Sequence, residues 1–125
     1  MPTDLHYTKD HEWVRVDGAS ATIGITAYAA DQLGDIVFVE LPDAGRKLEQ
    51  FATFGVVESV KAVSDLFAPV SGEVLEANAD LGASPELVNS DPYKGGWMIR
   101  VRLTDPTQVD DLLDAAAYDA LVAAG

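Results

Sequence analysis

The stretch Gly55-Val56-Val57-Glu58-Ser59-Val60-Lys61-Ala62-Val63-Ser64-Asp65-Leu66-Phe67-Ala68-Pro69-Val70-Ser71-Gly72-Glu73-Val74 decides the fold. One strand-like run ends at Val60 and another resumes around Leu66, so the chain must reverse between them. Lys61-Ala62 lies at or near that reversal, which points the lysine amine into solvent. Position alone makes Lys61 an ordinary exposed lysine near a loop tip.

The same grammar extends in both directions. Short apolar runs at Glu12–Val16, Ala21–Ile25, Ile36–Glu40, Phe54–Val60, Phe67–Pro69, Gly72–Ala77 and Trp97–Leu103 are separated by Gly, Pro, Asn and Asp. Val37, Val39 and Leu41 share one face of their run. Met98, Arg100 and Arg102 oppose Trp97, Ile99, Val101 and Leu103. Period-two alternation punctuated by turns predicts a mostly β chain, a small antiparallel sandwich or barrel. The turns fall at Asp17-Gly18, Pro42-Asp43-Ala44-Gly45, Asn78-Ala79-Asp80 and Lys94-Gly95-Gly96. Thr26–Leu33 breaks the pattern as a short helix, with Thr26 as its cap and Gly34 at its end. From Asp105 onward, Leu112, Leu113, Ala116, Ala117, Leu121 and Val122 recur at helical spacing, predicting a helical tail from about residue 106. Asp105, Asp110, Asp111 and Asp114 sit near its first turns, where the helix dipole favours them.

Composition narrows the function. The chain has 125 residues, one domain's worth over 1–125, with 48% hydrophobic and 23% charged residues. Eight Lys+Arg against 21 Asp+Glu give a net charge of −13. So acidic a surface repels phosphate backbones and anionic lipid, which argues against nucleic-acid or membrane partners and suits docking on basic protein surfaces. With no cysteine, disulfides, a thiol nucleophile and thiolate metal sites are excluded. His6 and His11 with Glu12 match no metal-binding spacing and read as surface histidines, so no metal is expected. Trp13 and Trp97 read as core, and Gly72 and Gly96 as tight turns or bulges. The start of the chain has no basic segment leading into an apolar one, which predicts a cytoplasmic, bacterial-type protein without a signal peptide.

Glu58-Ser59-Val60-Lys61-Ala62, followed by Ala68-Pro69-Val70-Ser71-Gly72-Glu73-Val74, resembles the modified-lysine hairpin of lipoyl and biotinyl carrier domains. Biotinyl carriers usually flank the lysine with Met, where this chain has Val60 and Ala62. Further blocks occur in order: His11-Glu12-Trp13-Val14, Ile23-Gly24-Ile25-Thr26, Leu33-Gly34-Asp35-Ile36-Val37-Phe38-Val39-Glu40-Leu41-Pro42, Leu87-Val88-Asn89-Ser90, Asp91-Pro92-Tyr93 and Gly96-Trp97-Met98. Together they resemble the H proteins of the glycine cleavage system, from about Leu5 into the tail. The family usually has a glycine where this chain has Phe51, so a shifted turn is expected there.

The resemblance implies a lipoyl-domain-like β-sandwich, a barrel-sandwich hybrid, that carries lipoate in amide linkage on Lys61 and catalyses nothing itself. It implies partners in sequence. A pyridoxal-phosphate glycine decarboxylase loads an aminomethyl group on the arm, and a folate-dependent aminomethyltransferase removes it. A dihydrolipoyl dehydrogenase reoxidises the dithiol, and lipoylating enzymes install the arm. It also implies a cleft in which Glu12, Asp65 and Asp10 face the arm's protonated amine. Glu58 and Ser59 read as recognition determinants for the lipoylating enzyme or as hairpin geometry. Two alternatives remain: an H-like protein that mainly relays lipoate to other lipoyl domains, and a lipoyl or biotinyl domain of an acyl-transferring complex. The second is disfavoured because neither a linker nor a catalytic domain is present.

Overall fold

The computed structural model describes residues 2–124. Its strands are β1 (His6–Tyr7), β2 (Glu12–Asp17), β3 (Ser20–Ile25), β4 (Ile36–Glu40), β5 (Lys47–Leu48), β6 (Thr53–Ser59), β7 (Val63–Phe67), β8 (Gly72–Ala77) and β9 (Ile99–Leu103). Helix α1 is Ala27–Leu33, α2 Asp80–Ala83, α3 Leu87–Ser90 and α4 Ala115–Ala124, with a 3-10 segment at Pro106–Asp111. The strands form a six-stranded sheet in the order β1-β2-β3-β9-β8-β5 and a three-stranded sheet β4-β6-β7. Every pairing is antiparallel.

Alternation explains the core between the sheets. Val14, Ile23, Val74, Ile99 and Val101 from the larger sheet meet Ile36, Val57 and Leu66 from the smaller one in one buried cluster. Such packing contributes most of the stabilisation of a fold this small. On β9, Arg100 and Arg102 point outward to Glu76 and Glu73 of β8, at 2.6 and 2.7 Å. These surface pairs add little to stability. Met98 departs from the expected polar side and is fully buried, while Trp97 is only half-buried.

A second cluster sits beneath α4, where Leu5, Tyr7, Trp13, Ala115 and Tyr118 are buried together. The helical tail is therefore present, but its buried stripe is Ala115, Tyr118 and, partly, Val122. Ala116, Ala117 and Leu121 face solvent. Tyr118 wins the inward position because its ring stacks on Tyr7 at 4.6 Å and its hydroxyl finds buried partners.

Helix α1 forms as expected: the Thr26 hydroxyl oxygen accepts from Ala29 N at 3.2 Å, and Gly34 ends the helix at φ +84°. Gly96 does lie in the expected turn, closed by Trp97 N on the Lys94 carbonyl at 3.1 Å, and a Cβ there would lie 2.5 Å from the Leu87 carbonyl oxygen, so the glycine also permits close backbone approach. Two other expectations change. The strand expected at Phe67–Pro69 lies earlier, because Pro69 donates no ladder hydrogen bond. Val37 and Val39 do not share a face cleanly, because the β4–β6 register shifts between Ile36 and Phe38 and leaves Val37 exposed.

The turn at Phe51 is not shifted. Phe51 itself takes the left-handed conformation, φ +68°, with its N–H on the Ala68 carbonyl at 2.6 Å. The turn into β6 thus keeps a glycine-type geometry and forces a phenylalanine into it.

Candidate functional site

The loop Val60-Lys61-Ala62 joins β6 to β7. Ser59 closes it from within: its N–H donates to the Ala62 carbonyl at 2.8 Å, and its hydroxyl oxygen accepts from Ala62 N at 3.0 Å and Lys61 N at 3.3 Å. Outside the hairpin, Val60 N donates to the Asp35 carbonyl at 3.0 Å. The backbone of Lys61 is thereby fixed, while its side chain is exposed and its amine makes no ion pair among the described residues.

The stem of Lys61 passes over the end of α1. A Cβ added to Gly34 would stand 3.5 Å from Lys61 Cε, so the glycine leaves the stem room as well as ending the helix. Asn89 of α3 holds this corner. Its Oδ1 accepts from Ile36 N at 2.9 Å, and its Nδ2 donates to the Gly34 carbonyl at 2.9 Å and the Ala30 carbonyl at 3.4 Å. Nothing in the sequence flagged this role beyond the presence of Asn89 in the Leu87-Val88-Asn89-Ser90 block. α2 and α3, four residues each, were likewise not expected.

From the hairpin, β7 descends past Asp65 to Phe67, four residues beyond Val63 or ~13 Å of strand. There the Phe67 N–H donates to Glu12 Oε2 at 3.2 Å. Glu12, expected in a cleft facing the arm, is 2% exposed. The Thr8 hydroxyl donates to its Oε1 at 2.5 Å, while that same oxygen of Thr8 accepts from Asp10 N and Glu12 N, both at 3.2 Å. Both side-chain partners of Glu12 are donors, an arrangement that suits an ionised carboxylate. Burial acts in the opposite direction and prevails, raising the Glu12 pKa from 4.5 to about 7. Thr8 and Asp10 line a groove with Tyr7, Phe51, Leu112 and Leu113, so Glu12 lies one hydrogen bond beneath its wall.

The predicted residues thus fall into two groups joined by β7. Lys61, Glu58 and Ser59 occupy the hairpin; Glu12 and Asp10 lie at the far end of β7, and the exposed Asp65 lies between. His11, expected at the surface, is half-buried at φ +70°. Its Nδ1 is 2.8 Å from the Tyr118 hydroxyl, which is 2.7 Å from Thr26 Oγ1 at the start of α1. Burial lowers the His11 pKa. His6 is also partly buried, so neither histidine is a simple surface residue. No group of three or more His, Cys, Asp or Glu among the described residues forms a metal-binding cluster, and no described helix is long and apolar enough to cross a membrane.

Comparison with known proteins agrees over almost the whole chain. A family model described as glycine cleavage H-protein matches residues 5–124. The glycine cleavage system H protein of Symbiobacterium thermophilum is 58% identical over 125 residues, covering 100% of this chain and 98% of that one. That of Phenylobacterium zucineum is 60% identical over 119 residues, covering 95% and 98%. The crystal structure of an H protein from Mycobacterium marinum superposes with a TM-score of 0.90 at 40% identity, covering 98% of this chain and 99% of that one. An exposed lysine on a clamped hairpin, in a mostly β fold shared end to end with these relatives, leads to one assignment: the chain belongs to the glycine cleavage H-protein family, the non-catalytic lipoyl carriers of the glycine cleavage system.

Proposed function

We propose that Lys61 is the lipoylated residue and that residues 1–125 act as one carrier domain. The observation that carries this is the contrast between a backbone pinned by Ser59 and Asp35 and an exposed, ion-pair-free amine above Gly34. An acylatable amine needs access to a partner's active site, and a flexible four-carbon stem gives it. The fit is physical as well: Gly34 leaves open the space that a Cβ would fill beside the stem. When bound, the lipoyl group supplies a dithiolane that takes up and returns the aminomethyl group under catalysis by the partner enzymes.

In this reading the protein's own residues hold and shield the arm. Ser59 fixes the direction in which Lys61 leaves the hairpin. Asp65, Glu12 and Asp10 lie along β7 and at its end, where a protonated amine folded back toward the groove meets carboxylates. Glu12 is the carboxylate most removed from water, so a charged amine beside it is favoured most strongly and would hold it ionised. The partners are the glycine decarboxylase, the aminomethyltransferase, the dihydrolipoyl dehydrogenase and the lipoylating enzymes. The setting is the cytoplasm of a bacterial cell.

Intact mass after incubation with lipoate, ATP and a lipoyl-protein ligase tests the assignment. One lipoyl increment is expected on the wild type and none on Lys61→Arg, which also fails in glycine–bicarbonate exchange with the decarboxylase. An increment retained by Lys61→Arg places the modification elsewhere. Release of the aminomethyl group without the folate enzyme tests the shielding role: Glu12→Gln should release it faster than wild type, and equal rates would remove Glu12 from that role.

A further inference from the structure

The outer face of the three-stranded sheet carries a pattern that the arm chemistry does not use. Strand register places Phe38, Glu58 and Val63 side by side in a row directly behind Lys61, and Glu40, Val56 and Asp65 in the next row. Side chains two apart on a strand share a face, so these six residues form one surface. It faces outward, because Phe38 is 50% and Val63 68% exposed whereas Val57 and Leu66 point into the core. Apolar and acidic side chains alternate along both rows, with no lysine or arginine in either. Arg46 lies beyond the second row, in a groove with Glu40 and Val56 at the end away from Lys61.

Apolar exposure is concentrated here. Of eight large hydrophobic side chains exposed among the described residues, Val37, Phe38, Val60 and Val63 all belong to this sheet or its hairpin. Clustering of this kind marks an interaction surface, whereas scattered apolar residues do not.

We propose that this platform docks the enzyme that acylates Lys61, through a surface on which arginine or lysine side chains alternate with apolar ones. Long basic side chains can lay their stems along Phe38, Val56 and Val63 and set their charged heads on Glu40, Glu58 and Asp65. Reach selects the occupant. Before the arm exists, the amine stands on a bare lysine stem, so its acylating enzyme must come within that stem's length of the hairpin. The two rows behind the hairpin are then the surface it meets. Enzymes acting at the tip of a loaded arm stand further off by the arm's own length. The proposal rests on the assignment of Lys61 made above.

The test is steady-state lipoylation of the unmodified protein by a purified lipoyl-protein ligase, read as separate KM and kcat. Phe38→Ser combined with Glu40→Gln should raise KM roughly tenfold, the scale of losing contacts central to an interface, with kcat within about twofold because the hairpin is untouched. Val63→Thr keeps a β-branched residue in the strand and should raise KM in the same direction, so the test stands even if the double variant folds poorly. Val16→Ser, an exposed position on the larger sheet, should leave KM unchanged. A wild-type KM in both platform variants overturns the platform while leaving the Lys61 assignment intact. Failure of the wild type to be acylated at Lys61 sinks both. Platform variants that are lipoylated normally but are defective with the decarboxylase once loaded refute this choice of occupant.

Discussion

Replacing Glu12 by Gln should remove a pH dependence of stability that the fold builds in. The Glu12 carboxyl is buried, and burial raises its pKa from 4.5 to about 7 despite donation from Thr8 and Phe67 N. Because the folded value lies above the unfolded one, the folded state favours the protonated acid. The penalty is therefore absent below pH 4.5, grows as pH rises toward 7 and is constant above that. At ~1.36 kcal/mol per unit, the shift amounts to about 3 kcal/mol of stability lost across that window.

Glutamine has nearly the same shape but does not titrate. It also faces two donors with a single oxygen, which lowers its stability by a constant amount at every pH. The informative quantity is therefore the difference in pH dependence, not the difference at one pH. Urea unfolding of wild type and Glu12→Gln at half-unit steps from pH 4.5 to 8 measures it, since other carboxylates titrate alike in both proteins. The wild type should lose about 3 kcal/mol relative to the variant between pH 4.5 and 7, then run parallel to it. Parallel curves throughout would mean that Glu12 is solvated in solution, and the argument from burial would fail.

Comparing Phe51→Gly with Phe51→Ala isolates the strain at residue 51, since both remove the ring but only glycine accepts φ +68° freely. The glycine variant should be more stable by ~1 kcal/mol in urea. Tyr118→Phe deletes the hydroxyl that meets His11 Nδ1 and buried Thr26 Oγ1, and chemical unfolding should show a loss of about 1–3 kcal/mol. Gly55→Ala would set a Cβ 2.3 Å from the Glu40 carbonyl oxygen, so β4 and β6 must move apart at a loss of about 1–3 kcal/mol, read from the thermal midpoint. Association with the decarboxylase should slow as salt rises, because a charge of −13 is screened beyond ~10 Å at 0.1 M ionic strength; a stopped-flow salt series checks it.

What could be read from the sequence followed from local pattern. β9 announced itself because arginines alternate with Ile99, Val101 and Leu103, and α1 because its cap and its terminating glycine bracket an alanine-rich run. β1 and β5 are two residues each and exist only through their partners, so no periodicity marks them. The buried face of α4 was decided by Tyr118, whose ring stacks on Tyr7 and whose hydroxyl meets His11 and Thr26. Those partners lie about a hundred residues away and left no local trace. Glu12 is the sharpest case. A glutamate reads as solvent-exposed until a threonine four residues earlier and an N–H of β7 offer it donors in the interior. The turn at Phe51 failed for a different reason: side-chain preference forecast a rearrangement, but the hydrogen bond from Phe51 N to Ala68 held the backbone in place.

The same distinction between local and distant determinants runs through the candidate site. Lys61 and Ser59 are adjacent in sequence, and a hairpin needs nothing further to expose an amine. Holding that amine in a defined place needs distant parts: Asp35 on the loop backbone, Gly34 beneath the stem and Asn89 bridging α1 to β4. α1 is fastened at its other end as well, because Thr26 caps it and also bonds Tyr118 of the carboxy-terminal helix. A chain of hydrogen bonds and packed elements therefore runs from the tail through α1 to the floor under Lys61. Rigidity at the base and freedom at the tip suit a swinging arm, because a fixed pivot reduces the conformational entropy a partner must remove to position the amine. On this view Tyr118, remote from Lys61, helps set the precision of the pivot, and its loss should loosen the site before it unfolds the protein.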